Sequence, residues 1–252
     1  MISWRSVAGY VVMLISIPLV WMLLVHIAGL PPAVLPKPSQ VWTVLAEDHA
    51  DLLHQTVTTL GEACTGYLVA NLLAIGVALL YTYASWSEAF ITPWMIVIKN
   101  VPYVTVAGIL IIVFGDTLMP KVIIIVLVCF FPLLSNLVKG LQAADPVLLD
   151  RMRVLNASRW QIFCKVRWPA ALPYYVAAHE IAFTSSVVAA IIAEWFLSRE
   201  GLGYLIVQST VEYRADRLYA VTLIASLLAL GTYFLCRVWE AWIFRWKRER
   251  VS

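Results

Sequence analysis

Long apolar runs alternate with short polar segments along the whole chain. Six such runs are separated by charged, proline-rich or glycine-rich stretches. A helix needs ~20 apolar residues to cross a hydrocarbon core of ~30 Å. The pattern therefore predicts an all-α, polytopic membrane protein in which a single domain, residues 1–252, contains about six membrane-spanning helices. The predicted spans are residues 7–30, 57–80, 89–113, 119–137, 170–196 and 218–238.

The composition excludes a water-soluble fold. Hydrophobic residues make up 62% of the chain and charged residues 13%, whereas soluble domains carry roughly a quarter charged residues. The first apolar run is longer than the ~7–15 residues of a secretory signal core, so we interpret it as a retained span. The four cysteines are widely separated in the sequence. This spacing predicts neither a metal site nor a disulfide framework.

The distribution of basic residues predicts the orientation in the membrane. With six spans, both termini lie on the same side, and the segments on that side contain twelve of the eighteen Lys and Arg residues, against five in segments on the other side. Cytoplasmic segments of membrane proteins carry the excess of basic residues. We therefore expect both termini in the cytoplasm, and the basic residues beside the spans favour contact with membrane lipid rather than with nucleic acid.

The predicted cytoplasmic loop, residues 139–169, contains strong helix-boundary signals. Asp145 followed by Pro146 is typical of a helix start, because the carboxylate caps free N–H groups and proline is tolerated at the first helical position. This helix should run to about Leu155. Asn156 then suits the left-handed residue that ends many helices.

A second short helix is predicted directly after the first. Ser158 and Gln161 have the spacing of a capping box, and Pro169 disfavours a helical residue before it, so the helix should end there. The two helices form a hairpin with a tight elbow. Apolar side chains among its basic residues, Trp160 and Phe163 in particular, are predicted to dock on a partner protein. The alternative is an ordinary loop that only orients the spans.

Residues 150–169 resemble the "EAA" loop of binding-protein-dependent ABC import permeases. The family pattern is Glu-Ala-Ala, three residues, Gly, nine residues, Ile, one residue and Leu-Pro. The acidic, glycine, isoleucine and proline places are filled here by Asp150, Asn156, Val166 and Pro169. Both alanines and the leucine are replaced, while the spacing is kept.

Four further segments place the resemblance closest to the nitrate/sulfonate/taurine-type branch of this family. Residues 35–39 (LPKPS) are similar to its "LPSPS" segment, and residues 114–115 (FG) to its "WFG". Residues 157–163 (ASRWQIF) are similar to "ASRWQVF", and residues 201–206 (GLGYLI) match "GLGYLI". The resemblance extends over nearly the whole chain.

This resemblance implies a non-enzymatic permease subunit in the plasma (inner) membrane of a prokaryote. The implied partners are a second copy of the chain, two ATP-binding subunits and a periplasmic or lipid-anchored solute-binding protein. No cofactor is expected on this chain, because ATP and Mg belong to the partner ATPase. The residues expected to couple the permease to that ATPase are Asp150, Asn156, Ala157, Ser158, Arg159, Trp160, Phe163 and Pro169. The implied substrate is a small solute such as a sulfonate, taurine or nitrate.

Polar residues inside the predicted spans are candidates for the translocation path, since an ionisable side chain there costs ~2.5–3.5 kcal/mol. Lys99 precedes Pro102, which predicts a local break in the helix. Glu180, Thr184, Ile191 and Glu194 are separated by four, seven and three residues, which approximate whole helical turns, so they share one stripe. The alternatives are that Lys99 extends to the membrane surface and that the stripe serves helix packing.

Three competing functions differ in how well the sequence fits them. An ion-gradient-driven transporter would suit a broken helix and intramembrane charges, but no second copy of the break occurs in the later spans. An intramembrane protease would need a catalytic pair that the spans lack. An importer of a heterocyclic vitamin precursor is the third, because relatives of this branch also transport such compounds. The absence of a phosphate-binding Gly-x-x-x-x-Gly-Lys-Ser/Thr loop assigns any ATP binding to another chain.

Overall fold

A computed structural model of the protein describes residues 4–196 and 198–244, with side chains from residue 16 onward except those of Ser85 and Glu88. No strand occurs in these ranges, which confirms the all-α class. The helices are α1 (Trp4–Ala28), α2 (Pro38–Glu47), α3 (His49–Tyr83), α4 (Ser85–Lys99), α5 (Tyr103–Phe114), α6 (Leu118–Gln142), α7 (Pro146–Val154), α8 (Arg159–Ile162), α9 (Trp168–Glu194), α10 (Leu202–Val211) and α11 (Ala215–Ile243). A π-helical segment, Phe163–Arg167, joins α8 to α9.

Four helices in the described ranges are long and apolar enough to cross a membrane. They are α3, α6, α11 and the continuous helix Arg159–Glu194, which comprises α8, the π-helical segment and α9. These four contain the spans predicted at 57–80, 119–137 and 218–238, and the predicted span at 170–196 as far as Glu194. The apolar part of α1 with described side chains, Ser16–Ala28, is shorter than a full span. The total of six spans therefore stays a prediction.

The run predicted as a span at 89–113 is not a straight helix. Its two parts, Ala89–Lys99 and Tyr103–Phe114, meet at 90°. The break follows from Pro102, which lacks an N–H donor and adopts an extended conformation with ψ 95° before α5. The break that the sequence predicts beside Lys99 is thus present.

Small residues bring the central helices close together. Helix α6 packs most extensively against α3 and α9, and α11 packs against α9. A Cβ atom on Gly66 would lie 2.6 Å from the Cβ of Ile125, and one on Gly140 would lie 2.8 Å from the Cα of Ala171. Helices in lipid gain no hydrophobic free energy by associating, so close van der Waals packing at small residues stabilises their contacts instead. The α3–α6–α9 core therefore depends on these two glycines.

Replacing Gly66 with alanine should destabilise the bundle, because the added methyl group collides with the fully buried Ile125 in α6. Overpacking of this kind costs about 1–3 kcal/mol. Gly76→Ala in the same helix is the matched control, since nothing lies within 4 Å of its Cβ position. The measurement is the thermal unfolding midpoint in detergent. Equal midpoints for the two variants would contradict the close α3–α6 contact.

Candidate functional site

The first half of the hairpin, here residues 145–168, is defined by its two caps. The Asp145 side chain accepts a hydrogen bond from the N–H of Val147 at 2.8 Å. At the other end Asn156 adopts φ 52°, and the N–H of Ala157 donates to the carbonyl of Met152 at 3.0 Å. This is the Schellman arrangement, in which a left-handed residue ends the helix. The predicted left-handed elbow at Asn156 is confirmed.

The second half of the hairpin begins as predicted but does not end as predicted. The N–H of Ser158 donates to Gln161 Oε1 at 2.8 Å, and the N–H of Gln161 donates to Ser158 Oγ at 3.2 Å, which completes the capping box. The predicted helix end before Pro169 is wrong. The N–H of Trp168 donates to the carbonyl of Phe163 in a π-type turn, and this wider turn allows α9 to begin at Trp168 without a break.

Phe163 is not an exposed docking residue, which corrects that part of the prediction. Its side chain is 8% exposed. Its ring lies 5.5 Å from that of Trp160, 6.0 Å from that of Trp168 and 6.4 Å from that of Tyr83, measured between centroids. Phe163 therefore packs the hairpin against the C-terminal end of α3 and the N-terminal end of α9 in the same chain.

The remaining surface of the hairpin combines exposed apolar and charged side chains. Trp160 and Val154 have large apolar side chains, yet Trp160 is 65% exposed and Val154 is 83% exposed. Asp150 pairs with Arg153 at 2.8 Å on the same helix, and Arg159 is exposed. Apolar side chains on an exposed, charged element are typical of a protein-docking surface. The coupling roles of these residues stay predictions.

Lys99 lies at the end of α4, beside the 90° break. Its Nζ atom is 4.6 Å from the centre of the Phe131 ring on α6, in cation–π geometry. The side chain is exposed in the single chain. This position is compatible both with a path-lining role and with extension toward the membrane surface.

Glu180 and Thr184 lie half-buried on α9. Glu180 Oε2 is 3.9 Å from Arg237 Nη1 on α11, and the Thr184 hydroxyl donates to the Glu180 carbonyl at 3.0 Å. The Thr184 hydroxyl is thus satisfied by its own helix. The structure brings Glu180 beside a cation, which is the local pairing that compensates charge at this depth.

Glu194 at the other end of the stripe is enclosed by protein, with 1% of the residue exposed. Its Oε1 accepts from the Thr59 hydroxyl at 2.7 Å, and its Oε2 accepts from the N–H of Gly203 at 2.6 Å. The carboxylate therefore connects α9 to α3 and to the start of α10. Its assignment to the translocation path stays a prediction.

The start of α10 is held by side chains of α3. The N–H of Gly201 donates to Gln55 Oε1 at 2.5 Å, and the N–H of Leu202 donates to Thr59 Oγ1 at 2.8 Å. Gly201 has φ 105°, and a Cβ on Gly203 would lie 2.1 Å from the Ile191 carbonyl oxygen. Only glycine fits at these two places.

A buried ion pair beside this site was not predicted from the sequence. Lys121 on α6 lies 2.5 Å from Glu62 Oε1 on α3, with side-chain exposures of 8% and 9%, and Asp116 lies 3.9 Å from the same ammonium group. Glu62 lies three residues after Thr59 on α3, so the ion pair is a neighbour, on the same helix, of the hydroxyl that binds Glu194. The sequence feature that could have indicated this pair is a single acidic residue, Glu62, inside the predicted span 57–80 and a single basic residue, Lys121, inside the predicted span 119–137.

A second buried polar group surrounds His179, which is 3% exposed. Its Nδ1 is hydrogen-bonded to the Tyr67 hydroxyl on α3. The Tyr175 hydroxyl donates to Asn71 Oδ1 at 2.7 Å, and the Trp239 ring lies 5.1 Å from the imidazole centre. The two hydrogen bonds join α3 to α9, and the ring contact joins α9 to α11.

The structure thus combines an apolar helical bundle with a charged, doubly capped hairpin that lies between two of its long helices. Residues 66–248 match the family described as "Binding-protein-dependent transport system inner membrane component". The chain belongs to this family. It is a permease subunit of an ABC transporter and a multi-pass inner-membrane protein.

Curated relatives cover most of the chain. A "Probable ABC transporter permease protein" of Haemophilus influenzae is 31% identical over 86% of this chain and 88% of its own length. The riboflavin transport system permease protein RibX of Chloroflexus aurantiacus is 28% identical over 95% of this chain and 90% of its own. A Bacillus subtilis permease protein named for aliphatic sulfonates transport is 24% identical over 91% of this chain and 84% of its own.

The fold is also similar to that of a solved transporter. An inward-facing structure of the MetNI methionine ABC transporter superposes with a TM-score of 0.62 at 17% identity, over 76% of this chain and 98% of that chain. At this identity the similarity supports the fold alone.

Proposed function

We propose that two copies of this chain form the translocation path of an importer, and that a separate ATPase switches the path between inward- and outward-facing states through the hairpin. ATP and Mg are bound by that ATPase, and an external solute-binding protein delivers the substrate. Both termini and the hairpin lie in the cytoplasm. The excess of basic residues in the segments on the hairpin side supports this orientation.

The observation that carries the proposal is the continuity of the hairpin with the bundle. The helix Arg159–Glu194 runs 36 residues without a break, so a displacement of α8 is transmitted directly to α9. Phe163 contacts Tyr83, and this contact links the same movement to α3. A rigid element attached to two spans suits the transmission of a domain movement.

The docking of the ATPase should depend on Trp160. Trp160→Ala should reduce co-purification of the ATPase, because large aromatic residues contribute about 2 kcal/mol or more at interface hot spots. Trp42→Ala on α2 is the matched control, since Trp42 is 72% exposed but lies outside the hairpin. The measurement is the amount of ATPase retained with the permease and the ATP hydrolysis of the reconstituted complex. Full retention by the Trp160 variant would contradict docking at this surface.

The proposed substrate is a small anionic or zwitterionic solute of the sulfonate, taurine or nitrate class. The similarity to the sulfonate-named permease supports this class. A heterocyclic compound, either a vitamin such as riboflavin or a vitamin precursor, is the second candidate, because the riboflavin-named permease has higher identity and covers more of this chain. Uptake of labelled taurine against labelled riboflavin, in vesicles supplied with the cognate solute-binding protein, distinguishes the two classes.

A further inference from the structure

A cavity of about 630 Å³ lies between the hairpin and the C-terminal end of α3. Its volume falls within the ~300–1,000 Å³ of small-molecule sites. On the α3 side it is lined by Tyr81, Thr82 and Tyr83, and on the hairpin side by Arg153, Arg159 and Arg167. Among the side chains that the structure describes, none of those lining the cavity is acidic.

The three arginines reach the cavity from separate points of the hairpin. Arg153 lies in α7, Arg159 is the first residue of α8, and Arg167 is the last residue of the π-helical segment. Arg153 pairs with Asp150, whereas Arg159 and Arg167 have no carboxylate partner in the part of the chain that the structure describes. Like charges gathered around one cavity repel one another, so a bound anion would stabilise the arrangement. The planar guanidinium group matches the oxygen atoms of phosphate particularly well.

The two faces of α7 separate this cavity from the docking surface. Leu149 and Arg153, one turn apart, line the cavity. Val147, Arg151 and Val154 line a different concavity on another face of the helix. A partner that docks on the exposed apolar side chains of α7 therefore approaches a different face of this helix from the one that lines the cavity. This position suits a small anionic group rather than a segment of the ATPase.

The residues around the cavity also indicate its depth in the membrane, which is the level of the lipid headgroups. Tyr81 and Tyr83 lie at the end of a membrane-crossing helix, and tyrosine is enriched where spans meet the lipid headgroups. Trp86 and Phe90 on the adjacent α4 are exposed, and their rings contact each other at 6.1 Å. Basic pockets between helices on the cytoplasmic side are suited to anionic lipid headgroups.

We propose that this cavity is a phosphate-binding site that accepts the phosphate group of an anionic phospholipid or of a soluble phosphate compound. The bound phosphate neutralises Arg159 and Arg167 and joins the hairpin to the end of α3. A lipid source rests on the proposed function, because that function places the hairpin at the cytoplasmic membrane surface.

The test uses the full permease–ATPase complex in nanodiscs of phosphatidylcholine, with or without phosphatidylglycerol. Native mass spectrometry measures the phosphatidylglycerol retained by the permease, and the thermal midpoint is measured in parallel. Arg167→Gln should bind phosphatidylglycerol about tenfold more weakly, as expected for loss of one charge-assisted contact. Arg153→Gln is the second cavity variant, should Arg167→Gln not fold. Arg151→Gln on the other face of α7 is the matched control and should bind like the parent.

A separate arm distinguishes the two sources of phosphate. Inorganic phosphate is added to complexes in pure phosphatidylcholine. A rise of the thermal midpoint that is lost in the cavity variants supports a soluble source, whereas stabilisation by phosphatidylglycerol alone supports a lipid source. The proposal is overturned if the cavity variants respond like the parent in both arms, or if Arg151→Gln loses binding to the same extent.

ATP hydrolysis and solute uptake are measured on the same complexes after transfer to vesicles. Phosphate binding that depends on the cavity arginines, together with absent uptake, would refute the proposed function and support the site. Normal uptake without such binding would refute the site alone.

Discussion

Asn156→Val is expected to uncouple ATP hydrolysis from solute uptake. Asn156 holds the elbow of the hairpin at φ 52°, a conformation that costs ~1–2 kcal/mol for ordinary residues and more for β-branched ones. Valine should therefore shift the elbow to another backbone state by at least about tenfold and change the angle between α7 and α8. The measurement is solute taken up per ATP hydrolysed in reconstituted vesicles, and this ratio should fall severely.

The matched control at the same position is Asn156→Gly. Glycine adopts positive φ without a steric penalty, so this variant should couple as the parent does. Co-purification of the ATPase with both variants separates altered coupling from lost docking. Normal coupling by the valine variant would show that the elbow angle does not transmit the movement.

Lys121→Met is expected to be the most destabilising single change in the bundle. It removes the cation that lies 2.5 Å from the buried Glu62 carboxylate and leaves that charge uncompensated. Breaking a buried pair in this way costs about 3–5 kcal/mol. The thermal midpoint in detergent should fall sharply, together with the yield of folded protein.

Two further variants complete this experiment. Glu62→Leu combined with Lys121→Met replaces both charges by apolar groups and should recover most of the lost stability. Lys37→Met changes an exposed lysine next to α2 and should have little effect. A double variant as unstable as Lys121→Met alone would show that the pair is not the reason for the loss.

The hairpin could be predicted in detail because its signals are local. The cap at Asp145, the left-handed Asn156 and the Ser158–Gln161 box each involve residues within a few positions of one another, and hydrogen bonds confirm all three. Apolar run length likewise located the four long helices, since bilayer thickness sets that length.

Features that depend on distant contacts could not be predicted. The burial of Phe163 requires Tyr83, which is remote in sequence. Lys121 and Glu62 are 59 residues apart, and nothing local identifies them as partners. The 90° bend at residues 100–102 shows the same limit, because Pro102 predicts a break but not the direction of the helix after it.

The two bonds of Glu194 also affect how the bundle can move. Its carboxyl group accepts from Thr59 on α3 and from the Gly203 N–H on α10 at the same time, so a shift of α9 against both α3 and α10 has to break both hydrogen bonds. Each of these hydrogen bonds contributes about 0.5–1.5 kcal/mol, so breaking both opposes such a shift. If the hairpin transmits movement as proposed, a threshold is expected: weak displacements of the hairpin should leave this end of the bundle unchanged, and only a displacement that breaks these hydrogen bonds should switch it. Such a threshold would limit leakage of solute between rounds of ATP hydrolysis.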